Sequence, residues 1–219
     1  MIIYHGSKTI IDKPIVGGSD PKNDYGAAFY LSLDLDAAKS WACKHDSLGV
    51  VNKYLIRNET FQSLKILDLT NKDKYSVLNW MAILMHFREL SDSFIKTNKL
   101  VLDWLEKYYI DVTQYDVVIG YRADDSYFRF PIRFISNDLA FEDLENIFLL
   151  GHLGVQYAFI SSRAINALKF IEAIDCEPSY LGHYRSLVVD ASKVFDEVLS
   201  TPRDPSKTYI LDLMRKDNE

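Results

Sequence analysis

The sequence predicts an α+β fold: short strands mixed with helices, with a helical hairpin inserted between strands. Three observations carry that prediction. Short apolar stretches of strand type recur along the chain, at residues 1–5, 27–32, 49–57, 63–69, 115–120, 155–160 and 171–177. Polar, Gly- and Pro-containing turns punctuate them. Between 63–69 and 115–120 the apolar spacing changes to threes and fours, the period of a helix.

In chain order, residues 1–5 open as a strand. Residues 10–26 are a loop rich in turn formers (Pro14, Gly17-Gly18, Asp20-Pro21, Asn23-Asp24), and 27–32 follow as a second strand. Ser32 or Asp34 caps a helix at 35–45, because a short oxygen side chain accepts from the free N–H groups of the first turn. Strands at 49–57 and 63–69 flank a polar turn, Asn58-Glu59-Thr60. Val77, Trp80, Met81, Leu84 and Phe87 share one face of a helix at 76–90, and Leu100, Val101, Trp104, Leu105 and Tyr108 share one at 97–109, so the two are expected to pack as a hairpin. Tyr115–Gly120 is a near-continuous apolar strand, with Ala123-Asp124-Asp125 at its mouth. A helix at 137–150, a strand at 155–160, a helix capped by Ser161 or Ser162 and running to Phe170, and a short strand at 171–177 complete one domain, residues 1–178, with a helical insertion at about 72–112. Residues 179–219 form a C-terminal helical extension, with a helix at 184–200, a break at Pro202 and Pro205, and an amphipathic tail at 207–216.

Bulk properties narrow the functional classes. The 219 residues, 48 % apolar and 26 % charged, suit one sizeable core. A net charge of −6 and the lack of any Lys/Arg run give no general attraction to nucleic acid or anionic lipid. Cys43 and Cys176 stand in unrelated contexts, with no Cys-x-x-Cys pair, which fits a reduced cytoplasmic setting. The chain opens without a basic and then apolar leader and has no run of the ~20 apolar residues a membrane span needs.

The familiar phosphate-binding and nucleophile-elbow motifs are absent, and the five histidines never pair at metal-ligand spacing, so no metal is expected. The chemistry concentrates instead in the first forty-odd residues. His5-Gly6-Ser7 follows a strand, and Gly6 lets a ligand approach the backbone, whose N–H and C=O complement a carboxamide. Ser7 offers a hydroxyl to the same amide. Tyr30 lies in Phe-Tyr-Leu-Ser, where it either packs in the core or presents its ring to a flat cation. Lys39-Ser40-Trp41 adds a second aromatic, again either a core residue or a ring partner. Late in the chain stands Val155-Gln156-Tyr157-Ala158-Phe159-Ile160-Ser161.

These segments resemble the ADP-ribosyltransferase superfamily, as in diphtheria toxin and the poly(ADP-ribose) polymerases, in a His-Tyr-Gln variant. They are also similar to an uncharacterised bacterial group within it, DUF3990-like, across roughly residues 1 to 175. The resemblance implies two small, mostly antiparallel sheets split around an NAD cleft, with NAD as substrate. His5, Gly6 and Ser7 would clamp NAD, Tyr30 would stack on nicotinamide, and Ser40 and Trp41 would line the cleft. Gln156 would stand where the family places a catalytic Glu, with Asp124 or Asp125 as candidate helpers. An amide holds a ribose hydroxyl but brings no full charge to an oxocarbenium-like transition state, so Gln156 argues against polymer formation. The implied activity is mono-ADP-ribosyl transfer to an unknown acceptor, protein ahead of nucleic acid. An NAD glycohydrolase, an inactive NAD- or ADP-ribose-binding module, and a protein–protein adaptor with a vestigial pocket stay open beside it.

Overall fold

Two sheets that meet at a single bridge form the frame of this computed structural model, which describes residues 1–45, 47–123, 129–144 and 154–217. One sheet has three antiparallel strands in the order β1 (Ile2–Ser7), β3 (Val50–Leu55), β7 (Lys169–Asp175). The other has four, in the order β2 (Phe29–Leu31), β6 (Val155–Phe159), β5 (Val117–Tyr121), β4 (Ile66–Asp68). Among the described residues only β4 and β5 run parallel, joined by the helical crossover that such a pair requires. The sheets touch where Tyr4 and Ser32 exchange backbone hydrogen bonds of 2.8 Å. Beyond that bridge β1 and β2 part, and a cleft opens between them. The expected mixed class with small, mostly antiparallel sheets is therefore what the chain builds.

Helix α1 (Leu35–Ala42) lies on β1. Asp34 starts it by accepting from the N–H groups of Asp36 (2.8 Å) and Ala37 (3.2 Å), a cap that contributes ~1 kcal/mol. The approach is so close that a Cβ on Gly6 would sit 2.1 Å from the Ala38 carbonyl oxygen. Gly6 is thus required by helix packing, a cause the sequence reading assigned to a ligand.

Helices α3 (Val77–Phe87), α4 (Asp92–Thr97) and α5 (Lys99–Leu105) fill the crossover. Trp80, Met81, Leu84, Val101, Trp104 and Leu105 are buried together as the helical spacing predicts, but Leu100 is exposed. The expected second helix, 97–109, is α5 followed by a 3-10 turn at Glu106–Tyr108. Before it comes α4, a helix the sequence reading missed, ended by Asn98, whose side chain donates back to the Phe94 carbonyl at 3.0 Å. Two further boundaries move. Asn58–Gln62 is a short helix, α2, where a turn was expected. The helix after β6, α7 (Ser162–Asn166), is capped by Ser161 and stops well before Phe170, which lies in β7 and pairs with Tyr54 of β3.

Helix α6 (Arg129–Ile135) carries an apolar face that the sequence reading missed. Asn137 turns the chain with φ at 65°, so residues 137–140 are not helical where a helix was expected to begin; residues 141–144 are helical, and 145–150 of the expected helix lie outside the described residues. In the C-terminal segment, α8 (His183–Ser200) rests against α1, and α9 (Ile210–Lys216) inserts Ile210 into the same core as Trp80 and Trp104. Asp217 then accepts hydrogen bonds from Trp104 Nε1 (2.9 Å) and the Tyr108 hydroxyl (3.1 Å). Cys43 and Cys176, far apart in sequence, are buried in one small cluster under α1, where burial and the neighbouring Cys43 push the Cys176 thiol up to about 12. Among the described residues no helix is long and apolar enough to cross a membrane.

Candidate functional site

The cleft begins with the alternation of β1. Tyr4 spends its N–H and C=O on Ser32, so the next residue facing that way, Gly6, turns its backbone groups into the gap beyond the bridge. His5 turns its backbone to Asn52 of β3 and its ring to the opposite face, stacked on Phe29 with centroids 4.3 Å apart. Its Nδ1 lies 2.7 Å from the Tyr30 carbonyl. A carbonyl only accepts, so Nδ1 carries the proton and Nε2 is left as an acceptor. Burial is the main influence lowering the His5 pKa; the Tyr30 carbonyl opposes it and the Arg122 charge adds to it. The ring is therefore neutral near pH 7.

Tyr30 comes from β2. Its hydroxyl donates to the Gly26 carbonyl (2.7 Å) and accepts from the Tyr25 N–H (3.0 Å), which fixes the ring in the wall of the cleft. Gln156 comes from β6, opposite Gly120 of β5. A Cβ at Gly120 would fall 2.1 Å from the Tyr25 hydroxyl, so glycine there lets Tyr25 reach under the sheet. The Tyr25 hydroxyl donates to the Tyr121 carbonyl (2.8 Å) and accepts from Trp80 Nε1 (2.9 Å). His5, Tyr30 and Gln156, from three different strands, thus line one cavity of about 250 Å³. A second cavity of about 370 Å³ adjoins it, sharing His5, Ser19 and Tyr30, beneath the loop that carries Ile11 and Ile15.

The inner end holds a carboxylate that the sequence reading left in a loop. Asp24 is 5 % exposed. Its Oδ1 accepts from Arg88 Nη2 at 2.6 Å, and its Oδ2 accepts from the Ala123 N–H at 2.9 Å and from Gln156 Nε2 at 2.8 Å. Burial raises the Asp24 pKa above the usual carboxylate value, while Arg88, the Ala123 amide and Gln156 pull against it. Arg88 caps the end of α3 and also donates to the Ala123 carbonyl, so the strand end after β5 is tied to α3 through this pair.

At the mouth, Lys44 Nζ lies 3.6 Å and the Arg122 guanidinium 4.8 Å from the Trp41 ring centroid. Tyr184 of α8 meets the same ring edge-on at 5.6 Å. Trp41 lines the cleft with both cations set over its ring.

Two predicted residues turn elsewhere. The Ser7 hydroxyl donates to the Thr9 carbonyl (2.5 Å) and accepts from Asn52 Nδ2 (2.9 Å), holding the chain after β1. The Ser40 hydroxyl lies 2.8 Å from the Asp36 carbonyl and 2.7 Å from His183 Nδ1, joining α1 to α8. Neither lines the cleft. Asp124 and Asp125 lie outside the described residues. A larger cavity of about 460 Å³, between α6 and residues 201–209, has Lys207 paired with Asp143 (2.6 Å), Arg133 with Asp138 (3.0 Å), and Arg203 set over the Tyr209 ring. Among the described residues no three His, Cys, Asp or Glu side chains gather into a metal-binding group.

Fold and cleft together define a mixed α/β protein with a polar cleft between two sheets and an ion pair buried at its inner end. The chain belongs to the DUF3990 family, described as a protein of unknown function, whose model matches residues 1–170 and so spans every cleft residue named above except Tyr184 of α8. No curated protein and no solved structure matches it.

Proposed function

We propose that the cleft binds NAD and that the protein is a mono-ADP-ribosyltransferase. The observation that carries the reading is the convergence of His5, Tyr30 and Gln156, from three strands, on one cavity with cations at its mouth. A carboxamide suits the inward-turned N–H and C=O of Gly6. A ribose hydroxyl suits His5 Nε2, which accepts. Lys44 and Arg122 suit a diphosphate, for which a guanidinium offers paired donors. In this reaction the N-glycosidic bond between nicotinamide and ribose breaks, and both electrons leave with the nicotinamide nitrogen. Oxocarbenium charge develops on the ribose carbon. The acceptor's lone pair closes on that carbon, and the acceptor's proton passes to solvent.

Gln156 favours one other reading, an NAD- or ADP-ribose-binding module without turnover, because an amide supplies no full charge. One experiment separates the two. Nicotinamide release from NAD is measured with the purified protein, in cell lysate and in buffer, beside the His5→Ala variant. Release in lysate, lost in the variant, supports transfer. Release in buffer alone means hydrolysis or self-modification. Binding without release identifies the module, and absence of binding rejects the NAD reading.

A further inference from the structure

We propose that Asp24 is a positioning residue that acts through Gln156, so that the two side chains together present the polarised acceptor oxygen that a lone glutamine would lack. The proposal rests on the NAD reading above. Gln156 is 3 % exposed, and its Nε2 faces two acceptors, Asp24 Oδ2 at 2.8 Å and the Tyr121 carbonyl at 3.3 Å. Neither acceptor can donate while Asp24 is ionised, so a flipped amide would set oxygen against oxygen. The nitrogen is held inward by chemistry, and Oε1 is the atom turned toward the cavity that Gln156 lines.

The carboxylate is itself fixed. Arg88 takes Oδ1 and the Ala123 N–H shares Oδ2, which leaves Asp24 no other orientation. A hydrogen bond from an amide to a carboxylate in a dry site draws electron density toward the amide oxygen. Oε1 therefore accepts a ribose hydroxyl more strongly, and faces developing positive charge more favourably, than an unpaired glutamine would. No bond to Asp24 forms or breaks. Its effect belongs to the step in which the glycosidic bond opens and its electron pair goes to nicotinamide.

The test is a charge exchange between the two positions, read by calorimetric NAD binding and by nicotinamide release. Asp24→Asn should lower kcat about a hundredfold, the size seen when one preorganised transition-state contact is lost. KM should stay within about threefold, because the contact strengthens mainly in the transition state. Gln156→Glu alone should also lower turnover, since two carboxylates at hydrogen-bond distance cannot both ionise, and the loss should deepen or lift with pH as one of them takes a proton. The double variant D24N/Q156E should recover at least the native rate, because the amide introduced in place of the Asp24 carboxylate can then donate to a cleft-facing carboxylate.

Unchanged kcat in D24N, or a faster Q156E with Asp24 intact, would overturn the proposal. If D24N fails to fold by thermal denaturation, Q156E and the native protein's Gln156 amide protons still decide it. A readout without NAD keeps the two ideas apart. The Gln156 side-chain amide protons, followed by NMR, should be shifted and slow to exchange in the native protein and should lose both properties in D24N. Loss of NAD binding by the native protein with that signature intact would reject the NAD reading. Absence of the signature would reject the Asp24 assignment itself.

Discussion

At the inner end of the cleft, charges are buried and cross-braced: Asp24 is held by Arg88, the Ala123 amide and Gln156. At the mouth, Lys44 and Arg122 rest on an aromatic plate, Trp41, beside the solvent. The inner groups come from a loop, a helix end and a strand that have no other reason to meet, so their pairing is part of the fold's stability. The outer groups are long cations, half-buried, stacked on one ring. On the proposed NAD reading the difference is a division of labour, with buried, cross-braced groups where a bond would break and positive charge at the mouth where an anion would be gathered.

The sharpest way to break that comparison is Arg88→Ala. It leaves a carboxylate buried without its ion partner and should cost about 3–5 kcal/mol in chemical denaturation. Lys44→Ala combined with Arg122→Ala should leave the denaturation midpoint nearly unchanged, within about 0.5 kcal/mol. The same double variant should weaken NAD binding about tenfold, or about 1.4 kcal/mol, and flatten its salt dependence. If both variants unfold the protein alike, the two ends are not distinct.

The smallest effect concerns His5. Its folded pKa lies below the ordinary 6.5. Between those two values the unfolded chain binds a proton that the native chain does not, so stability falls as pH falls through 6.5 toward the folded value. The slope cannot exceed about 1.4 kcal/mol per pH unit for one proton. It should disappear in His5→Asn when midpoints are compared across that window.

How much of this was legible in the sequence depended on whether a residue's partner was local. His5, Tyr30 and Gln156 were singled out by resemblance to a family pattern, and all three, from three different strands, line one cavity between the sheets. Asp24 was hidden because Asn23-Asp24-Tyr25-Gly26 carries turn signals, although the aromatic run that follows it (Tyr25, Phe29, Tyr30) hinted that this loop is buried. Arg88 looked like an ordinary basic residue at a helix end. Ser7 and Ser40 matched a pattern by type, yet their hydroxyls have nearer partners in Thr9, Asn52, Asp36 and His183. Gly6 showed the opposite confusion, since its missing side chain answers to α1 rather than to a ligand.

The family match ends at residue 170, while β7 runs from Lys169 to Asp175 and forms one edge of the three-stranded sheet. A fragment cut at that boundary would strip β3 of the partner that covers it along Val50–Leu55. The uncovered strand would present a row of unpaired N–H and C=O groups, with the buried Val51 and Tyr54 beside it. Such a fragment would self-associate through that edge, so recombinant work on this chain is best designed to extend past Asp175 and to retain Ile210.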